Sequence, residues 1–162
     1  MKIVAISPNK AHLHGIEQAL QGSRHTLVCL EGGKSRMSAA AQSQQPELML
    51  VDGMCCDPSD LELVEQVISR NSRLAVILLC PTHTPEFLLQ SMRVGVREVL
   101  PSPAPRDAIH AAVQRVAAKL EGATVGQTTG KVLAFIPCKG GRGATFLPTN
   151  LGWLLAETGS VL

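Results

Sequence analysis

The stretch LMLVDG, residues 48–53, decides the fold. Four apolar residues in a row, with no polar alternation, read as a strand covered on both faces, as in a parallel sheet. An aspartate and a glycine then end it. Outward from this segment, four more short apolar runs lie at Ile3–Ile6, Thr26–Leu30, Leu74–Leu79 and Glu98–Leu100. Longer segments with helical spacing separate them. Leu13, Ile16 and Leu20 fall at i, i+3 and i+7, as do Leu61, Val64 and Ile68; Ile109, Ala112, Val113, Val116 and Leu120 trace one stripe. The segment from about Ser35 to Gln44 carries only Met37, Ala40 and Ala41 on its stripe. Five strand–helix units with short connections predict an α/β fold, a doubly wound five-stranded parallel sheet with helices on both faces.

Local signals agree with this frame. Asp60 is expected to cap the third helix, and Pro105 suits an N-terminal helical position. Gly22, Gly95 and Gly122 are expected just past the first, fourth and fifth helices, where a left-handed residue is often needed.

The chain has 162 residues, 15 Lys+Arg against 13 Asp+Glu, and a net charge of +2, with 45% hydrophobic, 2% aromatic and 17% charged residues. The apolar fraction excludes a wholly disordered chain. The longest apolar run, Leu74–Cys80, is too short to span a bilayer. Scattered basic residues, with only Phe87, Phe135, Phe146 and Trp153 as aromatics, leave no nucleic-acid footprint or stacking platform. No secretory leader pattern opens the chain, so Cys29, Cys55, Cys56, Cys80 and Cys138 read as reduced cytosolic thiols. Cys55, Cys56, Cys80 and His83 could gather near two strand ends. A vicinal cysteine pair without Cys-x-x-Cys spacing reads as small apolar packing, not a zinc centre. His12 and His14, at the start of the first helix, read as solvent-exposed. Arg93, Arg97, Arg106 and Arg115 are dispersed and read as a solvated or interface face.

In an open parallel sheet, ligands bind beyond the carboxyl ends of the strands, and Asp52 ends the third. With the strand count, the segment lengths and GVREVLPSP at 95–103, residues 1–121 resemble the receiver domains of bacterial response regulators. The resemblance implies a receiver/flavodoxin-like strand order 2-1-3-4-5, with Asp52 in the phosphoacceptor place. It also shows where the chemistry departs. Phosphoryl transfer to a carboxylate needs Mg²⁺ held by acidic residues, and receivers supply an acidic pair after the first strand. This chain has Ser7-Pro8-Asn9 there. Cys80 stands where the family has a hydroxyl, and Ser102, before Pro103, where it has a lysine. Asp52 is therefore expected not to accept a phosphoryl group, and serves equally well as an acceptor of backbone hydrogen bonds at the strand end.

Gly122–Gly130 has neither charge nor helical stripe and reads as a linker. Beyond it, KVLAFIPCKGGRGATFLPTNLGWL at 131–154 gives a strand (Val132–Ile136), a glycine-rich turn and a helix from about Thr145 to Glu157. Gly140, Gly141 and Gly143 let successive N–H groups turn inward toward an anion, and Thr145 stands where a P-loop holds Mg²⁺. The usual lysine is replaced by Ala144, and Lys139 leads the motif. This resembles the deviant P-loop of the MinD/ParA class of ATPases, and the resemblance implies that Lys139 would reach nucleotide in a partner subunit.

A receiver-like domain (1–121), a linker (122–130) and the start of a deviant P-loop domain (131–162) together resemble TadZ/CpaE-type pilus-assembly proteins of the tight-adherence system. The resemblance implies the N-terminal part of a longer bacterial cytoplasmic protein that acts as a dimer and helps position pilus or secretion machinery at a cell pole. ATP and Mg²⁺ belong to that parent; no cofactor is expected for this chain. The expectation is a non-enzymatic localisation and assembly module, contacting pilus or secretion proteins, with no nucleic acid and no membrane insertion. A phosphorylation switch at Asp52, or an ATP-driven dimerisation switch through Lys139 and Thr145, are the rival readings. Phe87, Leu88 and Met92 on the fourth helix, with Ala111 and Ala118 on the fifth, exceed what one inner face needs and suggest a homodimer contact.

Overall fold

The structure, a computed structural model, describes residues 1–53, 58–82, 84–125, 150, 151, 153 and 154. Its elements run β1 (Lys2–Ser7), α1 (Lys10–Leu20), β2 (Thr26–Glu31), a 3-10 turn (Lys34–Arg36) leading into α2 (Met37–Gln44), β3 (Leu48–Asp52), α3 (Pro58–Arg70), β4 (Ala75–Cys80), α4 (Pro85–Arg93), β5 (Glu98–Pro101) and α5 (Arg106–Val125). The five strands are parallel and ordered β2-β1-β3-β4-β5, as read from the sequence.

Burial explains the unbroken apolar runs. All of β3 and β4 is buried, whereas the edge strand β2 has no buried residue. Alternate residues feed two cores. Val4, Ile6, Met49, Val51, Val76 and Leu78 pack with Met37, Val64 and Phe87 of α2, α3 and α4. Ile3, Ala5, Leu48, Leu50, Ile77 and Leu79 pack with Ile16 of α1 and with Ile109 and Val113 of α5. Each fully buried Ile, Leu or Val contributes about 1.5–3 kcal/mol relative to exposure. A one-residue slip of any central strand would exchange its two faces.

The register brings the carboxyl ends together. Ile6 lies beside Val51, Asp52 beside Leu79, and Leu79 beside Leu100. Asn9 caps α1 by accepting the Ala11 N–H at 2.9 Å, and Thr84 caps α4 by accepting the Phe87 N–H at 3.2 Å. Gly22 and Gly95 take the left-handed backbone expected after α1 and α4, at φ 81° and 94°.

Three expectations are corrected. Asp60 does not cap α3: the helix starts at Pro58, so Asp60 lies inside its first turn, buried and paired with Lys34. Gly122 is not beyond α5, which continues to Val125. No proline blocks the ladder there, and one helical glycine costs only about 1 kcal/mol. Phe87 adds nothing to a surface surplus; it is 3% exposed, while Leu89 and Met92 stand 59% and 72% exposed.

Met1–Thr124 and Val125–Leu162 form two compact units. In the second, residues 150, 151, 153 and 154 are helical. The expected strand Val132–Ile136 and the residues Lys139, Gly140, Gly141, Gly143 and Thr145 lie outside the described residues, as do Cys55, Cys56 and His83. Among the described residues, no helix is long and apolar enough to cross a membrane.

Candidate functional site: a buried aspartate among donors

Asp52 closes β3 and is 2% exposed. Parallel register places the last residue of β1 and the residue after β5 on either side of it. Ser7 Oγ donates to Asp52 Oδ2 at 2.6 Å, and Ser102 Oγ donates to Oδ1 at 2.5 Å. Ser7 spends its one proton on the carboxylate and accepts the Asn9 N–H at 3.0 Å. Ser102 is held in place by its own N–H, which donates to the Cys80 carbonyl at 3.0 Å. His12 Nδ1 adds a third side-chain donor, 2.7 Å from Oδ2, and the Gly53 N–H a fourth donor from the backbone. An ionised carboxylate only accepts, so His12 carries its proton on Nδ1.

The turn after Asp52 needs its glycine. Gly53 has φ 81°, and a Cβ there would stand 3.0 Å from the ring of Pro8. Pro8 thus closes over the strand end and fixes how the chain enters α1.

Burial by itself would push the Asp52 carboxyl up. The hydrogen bonds from Ser102, Ser7, His12 and the Gly53 backbone outweigh it and hold the group below the usual aspartate range. Four donors meet about four lone-pair sites on a carboxylate. The group is therefore ionised, buried and saturated, and each of its bonds is charge-assisted.

Of the residues singled out in the sequence, Ser7, Asp52 and Ser102 meet directly. Asn9 does not join them: its side-chain oxygen is turned to the Ala11 N–H. Cys80 is fully buried at the end of β4, and its backbone carbonyl holds Ser102. His12 is the residue sequence reasoning missed. It was expected in solvent, yet its ring lies on Asp52 with its side chain 28% exposed. The signal was present: the first turn of a helix that follows a strand directly stands over that strand's carboxyl end. His14 does face solvent, 67% exposed and 3.6 Å from Glu17.

The donor set does not suit Mg²⁺. That ion wants octahedral oxygen ligands, carboxylates foremost. Among the described residues Asp52 is the single acidic residue in this cluster, and its lone pairs are taken. Among the described residues no group of three or more His, Cys, Asp or Glu is placed to hold a metal. A cavity of about 520 Å³, lined in part by Met1, Arg24, His25, His110, Gln114 and Glu121, lies at the opposite, amino-terminal edge of the sheet and does not serve Asp52.

No family model matches the chain, and no curated protein does. Solved structures share its fold. A pilus assembly-related protein from Burkholderia pseudomallei is 22% identical, with a TM-score of 0.65 over 74% of this chain and 90% of that one. The pilus assembly protein CpaE from Caulobacter crescentus is also 22% identical, with a TM-score of 0.63 over 71% of this chain and 98% of its own. The signal receiver domain of a Luxo repressor protein from Vibrio parahaemolyticus is 12% identical, with a TM-score of 0.68 over 78% of this chain and 96% of its own. The architecture of the first unit is that of receiver domains, shared with CpaE-type pilus assembly proteins.

Proposed function

We propose that this chain is a receiver-fold interaction module that has exchanged phosphoryl acceptance at Asp52 for a fixed internal cluster, and that it serves assembly of a pilus or secretion complex without being an enzyme. The carrying observation is the state of Asp52: buried, with both oxygens engaged by Ser7, Ser102, His12 and the Gly53 N–H. A carboxylate attacks phosphorus with a free lone pair, and a metal must neutralise the incoming oxygens. Neither condition is met where the acidic pair has become Ser7 and Asn9. What remains is a rigid α/β body with an exposed apolar face on α4, at Leu89 and Met92. That face supports a homodimer, the arrangement in which contacts at a shared surface can organise a larger assembly. The assembly role itself rests on the fold shared with pilus proteins.

The test exposes the protein to acetyl phosphate with Mg²⁺ and follows intact mass. The expected result is no hydroxylamine-labile acyl phosphate. An acyl phosphate lost in Asp52→Asn would restore the reading as a phosphorylation switch.

A further inference from the structure

The cluster that disables Asp52 leaves a different nucleophile at the same edge. His12 gives its Nδ1–H to Asp52 at 2.7 Å, which in the neutral ring fixes the tautomer and puts the lone pair on Nε2. Among the described residues Nε2 has no hydrogen-bond partner, and the side chain is 28% exposed. A buried carboxylate that fixes the tautomer of an imidazole also stabilises the imidazolium formed when the ring takes an electrophile. Histidine so oriented is a recognised covalent nucleophile type. His12 further lies in the first turn of α1, the positive end of an 11-residue helix, where a dianion is favoured. Ser7 and Ser102 hold the carboxylate from its other sides, so the pair keeps its geometry without metal.

We infer that His12 Nε2, not Asp52, is the phosphoryl-accepting atom of this receiver-fold edge, with Asp52 as its positioning residue. This rests on the reading that Asp52 is saturated by its donors. The donor class is a small high-energy phosphoryl compound such as phosphoramidate. The Nε2 lone pair forms the new N–P bond as the P–N bond of the donor breaks. Ammonia leaves with the protons it already carries in the zwitterionic donor. The ring becomes an N-phosphorylated imidazolium whose Nδ1–H stays on Asp52, so the charge gained by the ring is compensated by a buried anion already in place.

The experiment incubates the 162-residue protein with phosphoramidate and measures intact mass, then treats the product with acid and with alkali. The expected product is one phosphoryl adduct that is acid-labile and alkali-stable. It should persist in His14→Gln and vanish in His12→Gln, whose folded state is checked by its thermal melt. Asp52→Asn should slow the adduct roughly 10²-fold, the lower end of what an oriented acid–base partner contributes. In the same variant the ¹⁵N signals of His12 should move from a pure Nδ1–H tautomer to a mixture, a readout that a merely structural role would not move. No adduct, or one that survives His12→Gln, overturns the inference while leaving the proposed function intact. An alkali-labile adduct that survives His12→Gln and is lost in Asp52→Asn overturns both.

Discussion

Asp52 and Asp60 are hidden to the same degree, at 2% and 1% exposure, and are held in opposite ways. Asp52 sits among several donors, none of them a lysine or arginine: two hydroxyls, one imidazole and one backbone N–H. Asp60, in the first turn of α3, has a single cation as its partner among the described residues. Its Oδ1 pairs with Lys34 Nζ, and its Oδ2 has no hydrogen-bond partner among the described residues. The Lys34 side chain is itself 47% exposed. The contrast teaches where stability is concentrated. A carboxylate with distributed donors loses a fraction of its support when one donor goes. A carboxylate with one partner loses nearly all of it, apart from the helix dipole that favours an acid in a first turn.

The largest effect should therefore come from the clamp. Lys34→Ala is expected to cost about 3 kcal/mol, the low end for stripping one partner from a buried pair, because Lys34 keeps contact with water. Denaturant unfolding of Lys34→Ala and of Lys34→Ala/Asp60→Asn checks it. The double variant should be the more stable of the two, since a neutral amide no longer carries an unpaired buried charge. Equal or lower stability of the double variant would break the comparison.

A smaller loss is expected at the shared site. Ser102→Ala removes one of the donors on Asp52 and should cost about 1.5–2 kcal/mol, the low end for one hydrogen bond to a charged group, because the other donors remain. A loss as large as that of Lys34→Ala would mean that the donors are not interchangeable and that Ser102 alone keeps Asp52 ionised. On the surface the contrast fades. Arg115 pairs with Glu98 across solvent, and Arg115→Ala should leave the thermal midpoint unchanged within error. The α4 face has its own test: Met92→Glu should shift a dimer to monomer in sedimentation without altering the melt of the monomer. A wild-type protein already monomeric at high concentration would remove the homodimer from the proposed function.

The same contrast explains what was legible in the sequence. Strand ends were readable, because unbroken apolar runs fix the strands and parallel pairing aligns their carboxyl ends. With the resemblance to receiver domains, this puts Ser7, Asp52 and Ser102 at one site. His12 was not read, because the direction of its ring depends on how Pro8, packed over Gly53, sets the entry of α1. Asn9 was placed at the site by its position, but the helix competed for its side chain and won. Asp60 was misread as a cap because the helix begins earlier, at Pro58, and because its partner Lys34 is 26 residues away. Local spacing marks an acid near a helix start; it carries no information on a lysine from another loop. Gly122 shows the limit of a weak punctuator, since glycine permits a helix end without imposing one.

The claim on which the account turns is that Asp52 is ionised and held by its donors. Its folded-state value lies below the unfolded one, so the stabilisation it brings is fully present above the unfolded value and is lost as pH falls through the folded value. A ¹³C titration of the Asp52 carboxyl carbon in the folded protein measures this directly. The expected midpoint lies below the unfolded aspartate value of about 3.9, with loss of the His12 and Ser102 contacts in the same pH range. A midpoint at or above that value would show burial prevailing over the donors, and would return Asp52 to the pool of available acceptors.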